Sequence, residues 1–250
     1  MSGQWLKYVL TGCGAMIVVL ALVIMVHNVP TGVTAQDRRA IVAFFPEKTR
    51  QSHALRAGGK PEDWQAQRRQ IAYIQKRILK QVPHTERIPT NTSREPYSVL
   101  KHGHGHCHDR ARLLAKIYRW LGYDVRQAYI LGSENHAFAL QSLLTPGAAS
   151  HALLDVRTKR GWLAVGTNHR WLGIRPKTEK TVYSLTELAD SATVRADIDK
   201  LPGIVKDSYL PIYGLYSRHG RYFPPYTPYI PDMNVPRFLA YLTGLGAMIK

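Results

Sequence analysis

Residues 102–111 read His-Gly-His-Gly-His-Cys-His-Asp-Arg-Ala, four histidines gathered around one cysteine. Metal ligand, redox thiol and nucleophile all fit such a set. His102, His104, His106 and His108 alternate, so in an extended segment they could converge with the thiolate on Zn²⁺ or Cu²⁺. No CxxC or HExxH accompanies them, and histidines alternating with Gly103 and Gly105 equally suit a flexible polar loop at a cleft. Beyond Cys107, apolar or small residues at Ala111, Leu114, Tyr118 and Leu121 recur at i, i+4, i+7 and i+11 until Gly122. This spacing predicts a helix with Cys107 at its start, on the inward face. A thiol there meets the positive end of the helix dipole and unpaired N–H groups, which favour thiolate. The chemically silent alternative is a buried thiol on an apolar helix face.

A nucleophile needs a base, and imidazole works best when its second nitrogen is held by a carboxylate or amide. Strand-like runs follow the helix at 125–131, 136–142, 151–156 and 161–165, with turn residues around Pro146-Gly147. His136 opens the second run and Asp155 lies near the end of the third. A hairpin through the Pro146 turn would set them nearly opposite each other, while a one-residue slip would separate them. One helix feeding an antiparallel sheet predicts an α+β domain. Upstream, Trp64, Ile71, Ile74, Ile78 and Val82 mark one face of a helix over 61–82. Shorter helices are expected at 36–45 and 184–199.

Gly105-His106-Cys107-His108-Asp109-Arg110-Ala111, then Leu114, Leu121-Gly122 and Val125-Arg126, resemble the nucleophile helix and following strand of the transglutaminase-like superfamily of papain-like cysteine enzymes. His136-Ala137-Phe138 is similar to its histidine strand, and Leu153-Leu154-Asp155 to its strand ending in aspartate. The resemblance spans roughly residues 61–171. It implies a papain/transglutaminase-like core, with Cys107 as nucleophile, His136 as base, Asp155 as orienting acid and no cofactor. It also implies acyl transfer from an amide or ester through a thioester, to water or an amine. His151-Ala152-Leu153 imitates the histidine strand too, and Gly161-Trp162 the strand before the acid. In that alignment Gly166 takes the acid's place, with Asn168 as the nearby polar substitute, and the missing acid gives preference to His136 and Asp155.

The remainder of the chain concerns location. Residues 8–26 contain no charged side chain and are long enough to cross a hydrocarbon core of about 30 Å, which predicts a single-pass N-terminal transmembrane helix. With Cys13 in that segment, Cys107 is the one thiol of the globular part and no internal disulfide can form there. The formal net charge is +17, from 34 Lys and Arg against 17 Asp and Glu. Basic residues are spread along the chain without a nucleic-acid signature, so the expected partners are the membrane and a peptide, protein or anionic glycan substrate. The expected location is the inner or plasma membrane, with the domain facing the periplasm or exterior. The expected organisation is an anchor and flank (1–35), a linker with a short helix (36–60), the core (61–180) and a Tyr/Pro-rich extension (181–250). In that extension, tyrosines interleaved with arginines suit either a stacking surface or packing onto the domain.

Overall fold

The computed structural model describes residues 8, 11–19, 22, 28–45, 55–90, 92–132, 149–176, 181–198, 201–216 and 233–243. Helix α1 (Ala35–Phe44) starts at a capping box in which Thr34 and Asp37 satisfy each other's backbone N–H groups. Helix α2 (Trp64–Gln81) is capped by Asp63 and buries Ile71, Ile74 and Ile78. Helix α3 (Pro96–His102) has Pro96 in its first turn and ends at Gly103, whose φ of +69° is the left-handed conformation glycine adopts without strain. Helix α4 (Cys107–Trp120) begins at the cysteine, as its periodicity predicts, and buries Leu113, Leu114, Ile117 and Tyr118.

Strands β1 (Val125–Gly132), β2 (Ser150–Thr158), β3 (Gly161–Val165) and β4 (Tyr209–Tyr213) form one antiparallel sheet in the order β3-β2-β1-β4. Ala152, Leu154, Val156, Leu163 and Val165 pack into the apolar cluster that holds α2 and α4. Ala128, Ile130, Leu153 and Ala164 join a second cluster with Leu185, Leu188, Val205 and Tyr209. Helices α5 (Leu185–Asp190), α6 (Ala192–Ala196) and α7 (Gly203–Lys206) belong to this second layer. Burying each of the Val, Leu and Ile side chains among these contributes about 1.5–3 kcal/mol. The molecule is therefore α+β, with helices covering both faces of an antiparallel sheet.

Three differences from the sequence expectations stand out. The helix expected at 184–199 is interrupted at Ser191, which has extended backbone and caps α6 through its hydroxyl. β4 lies within the stretch expected to be an extension, yet it pairs with β1 and completes the sheet. The run 136–142, and His136 with it, lies outside the described residues. Asp155 nevertheless has both strand neighbours assigned, Arg126 on β1 and Ala164 on β3. The hairpin position expected to flank Asp155 is therefore taken by β1 on one edge of β2 and β3 on the other, while His136 itself lies outside the described residues.

Ahead of α1, residues 28–32 are fastened to the rest of the protein. Val29 donates its N–H to the Met233 carbonyl at 2.8 Å, beside helix α8 (Val235–Leu242). Three basic side chains of α4 reach the same segment: Arg112 donates to the Pro30 carbonyl, Arg119 to Thr31 and Lys116 to Gly32. Lys116 is fully buried and also pairs with Asp37 at 2.9 Å and Glu95 at 3.1 Å. Further upstream, residues 11–19 are helical and expose Met16, Ile17, Val18 and Val19. Among the described residues, no helix is long and apolar enough to cross a membrane.

Candidate active site

Cys107 occupies the first position of α4 and is half-buried. The turn leading into it is tightly built. Gly105 donates its N–H to the Pro83 carbonyl at 3.1 Å, and a Cβ on Gly105 would lie 2.9 Å from the Asp109 Cβ. Asp109 then reaches back, its Oδ2 accepting the His106 N–H at 2.9 Å. Gly103 and Gly105 therefore serve a helix end and a close approach, which corrects the reading of this run as a flexible loop.

The thiol meets the sheet where β2 runs past the end of β3. The backbone N–H of Ala152, and that of His108 from the helix itself, favour the thiolate form of Cys107. The carbonyl of Ala152 accepts a hydrogen bond from the Thr167 hydroxyl at 2.6 Å. Thr167 Oγ1 in turn lies 3.4 Å from Nε2 of His151, the residue before Ala152. Because the Thr167 proton is committed to the Ala152 carbonyl, its oxygen is an acceptor toward His151, and Nε2 carries the imidazole proton. This leaves Nδ1 of His151 unprotonated, the state a general base requires. Arg110, one turn beyond Cys107, acts electrostatically on both Cys107 and His151.

The loop after β3 is held from a distant helix. Gln75 on α2 donates through Nε2 to the carbonyls of Gly166, at 2.8 Å, and Trp171, at 2.9 Å. A Cβ at Gly166 would fall 2.5 Å from Trp171 Nε1 and 2.6 Å from the His169 carbonyl oxygen. A carboxylate side chain therefore has no room at position 166. The hydroxyl of Thr167 stands next to the imidazole, and Asn168 instead accepts from Arg110 Nη2.

Burial governs the electrostatics. It pushes the Cys107 thiol above its ordinary value, against the pull of the Ala152 and His108 N–H groups and the Arg110 guanidinium. This is opposite to the direction expected from the helix terminus alone. His151 and His108 are both driven down to about 3, chiefly by burial, so each is neutral at pH 7. At rest the thiol and the imidazole are therefore both neutral.

Asp155 has another task. It is fully buried, about 10 Å further along β2 from Ala152 at the usual rise per residue. Its Oδ2 accepts from Arg126 at 2.9 Å and from the Tyr213 hydroxyl at 2.6 Å, while Oδ1 accepts the Leu185 N–H at 2.9 Å. These contacts tie β1, β2, β4 and the start of α5 together. The described residues thus set Thr167 against His151 and the Ala152 carbonyl, with the Ala152 N–H favouring the Cys107 thiolate, and give Asp155 a separate set of partners. The four alternating histidines pack by ring contacts, His102 on His104 and His106 on His108. Among the described residues, no group of three or more His, Cys, Asp or Glu side chains is placed to hold a metal ion.

Thr167, Gln75 and Arg110 were not singled out from the sequence as site residues. Arg110 carried a legible signal, since it lies three residues after Cys107 and hence on the same helix face. Residues 52–167, which contain Cys107, His151 and Thr167, match the family model of the transglutaminase-like superfamily. No curated protein and no solved structure matches the chain.

Proposed function

Because the chain carries a transglutaminase-like superfamily domain over residues 52–167, we propose that it is a cysteine acyl-transfer enzyme with Cys107 as nucleophile, His151 as base and Thr167 as positioning residue. The observation that carries this reading is the Ala152 backbone, whose carbonyl fixes the Thr167 hydroxyl facing His151 while its N–H favours the Cys107 thiolate. Nδ1 of His151 takes the thiol proton as sulfur adds to the substrate carbonyl. The Cys107 amide, among the helix N–H groups without an intrahelical acceptor, is available to the developing oxyanion. Collapse breaks the carbonyl's bond to the amine or alcohol, which leaves with the proton from His151. Water or an amine then attacks the thioester, takes the acyl group and returns the proton to sulfur.

The same proposal places the domain on a membrane through the apolar residues 8–26, acting on an envelope-associated peptide or glycan-linked substrate. The exposed apolar helical residues 16–19 and the excess of basic groups support it. One observation favours a non-catalytic binding module instead: a hydroxyl stands where an acid would orient the histidine, beside a thiol of raised pKa.

Incubation of the full chain in detergent with p-nitrophenyl acetate, followed by mass analysis, separates these readings. The expected result is one acetyl group on Cys107 that turns over, absent in Cys107→Ala and slowed about 10²–10⁴-fold in His151→Ala. Loss of acetylation in His136→Ala with His151→Ala unaffected would reassign the base. A wild-type thiol that is never acetylated would favour the binding module.

A further inference from the structure

Around Cys107 the titratable groups are predominantly basic, with His84 and His106 pushed toward the neutral form chiefly by burial. The imidazoles of His84 and His106 stack with centroids 4.3 Å apart and planes 25° apart. His84 is exposed and His106, the residue before Cys107, is half-buried, so the stack runs from solvent inward at the start of α4. Arg110 is 2% exposed, donates through Nη2 to Asn168, and keeps a buried Nε with no partner among the described residues. Arg87 acts electrostatically on His106, and His169 on both His84 and His151.

Few carboxylates answer them. Asp109 is buried and engaged by the His106 N–H, with Arg94 at 3.5 Å and His108 at 3.3 Å. Glu86 is exposed and lies 3.9 Å from His104. Stacked imidazoles and a buried guanidinium nitrogen without an acceptor form an incomplete electrostatic set. An anion supplies the missing acceptor and lets the imidazoles take up protons.

Building on the acyl-transfer reading, we propose that His84, Arg87, His106 and Arg110 form an anion-recognition subsite beside Cys107. It selects an acyl donor whose carboxylate lies close to the scissile carbonyl, as in an acidic peptide. Recognition of the carboxylate places the adjacent carbonyl against Sγ.

The test uses two reagents of nearly equal size, iodoacetate and iodoacetamide, on the full chain carrying Cys13→Ser so that Cys107 is the sole thiol. The readout is the ratio of the two alkylation rates, which cancels differences in thiol ionisation. In the folded protein this ratio is expected to exceed that of the same chain unfolded in urea by roughly tenfold. It should fall as salt is raised from about 0.05 to about 0.5 M. It should also fall several-fold in Arg87→Gln and in His84→Gln. A folded protein that takes iodoacetamide with no preference for iodoacetate overturns the subsite alone. A Cys107 that resists both reagents overturns the nucleophile reading and the subsite with it.

Discussion

Acid should weaken this fold in a way traceable to His151. In the folded protein burial drives its pKa down to about 3, whereas the unfolded chain titrates it near the ordinary 6.5. A group whose folded value is depressed contributes stability that is complete above the unfolded value and is lost as pH falls toward the folded one. At pH near 5 the unfolded chain is protonated at this site while the folded protein is not, which favours unfolding by about 2 kcal/mol. His108, also driven to about 3, adds a similar amount. Asp109 and Asp155, whose values burial raises, act in the opposite sense, gaining stability as pH falls through their folded values. Comparison of wild type with His151→Gln cancels their contribution. The assay is urea unfolding of both proteins between about pH 7.5 and pH 5, and the stability gap between them should narrow by about 2 kcal/mol. A gap constant to within about 0.5 kcal/mol would refute the argument, because His151 would then titrate alike in both states.

Replacing Asp155 by Ala removes the acceptor shared by Arg126, the Tyr213 hydroxyl and the Leu185 N–H, and should cost about 3 kcal/mol in urea unfolding; the lower end of the buried-pair range applies because the Arg126 side chain is 19% exposed and the Tyr213 hydroxyl keeps Thr186 as a partner. Under conditions where that variant is still folded, Cys107 should alkylate at the wild-type rate; loss of thiol reactivity without loss of stability would return Asp155 to a catalytic role. The rate of Cys107 alkylation by iodoacetamide should inflect above the free-thiol value of about 8.5, and Arg110→Gln should move the inflection higher still, since the guanidinium favours thiolate. An inflection well below that value would mean that a preformed ion pair, rather than a neutral pair, awaits the substrate.

What could be read from the sequence was whatever repeats with a period or sits at an element's end. The recurrence from Cys107 to Leu121 identified α4 and set the thiol at its start, and the isoleucines of α2 repeat on one face in the same way. β4 escaped notice because Pro211 sits inside it. The strand lies at the edge of the sheet, where a residue without an N–H is tolerated. α3 is only seven residues long and offers too little periodicity to detect. The site's third member was hidden for a different reason. An acid was sought at position 166, but Trp171 closes that space, and the hydroxyl of Thr167 acquires its role from a carbonyl fifteen residues upstream. Asp155 misled because a local hairpin seemed to define its neighbour, whereas β1 and β3 flank it instead.

The clamp of Arg112, Lys116 and Arg119 on the carbonyls of residues 30–32 has a mechanical consequence. Those side chains stand on the same rigid rod as Cys107, and Lys116 is about 14 Å along its axis from the thiol. Residues 30–32 therefore add no slack between the apolar N-terminal stretch and the reactive sulfur. A pull on residues 30–32 would therefore be passed directly to the helix that carries the thiol, without first stretching a slack linker at these three residues. Loosening the clamp would uncouple the two.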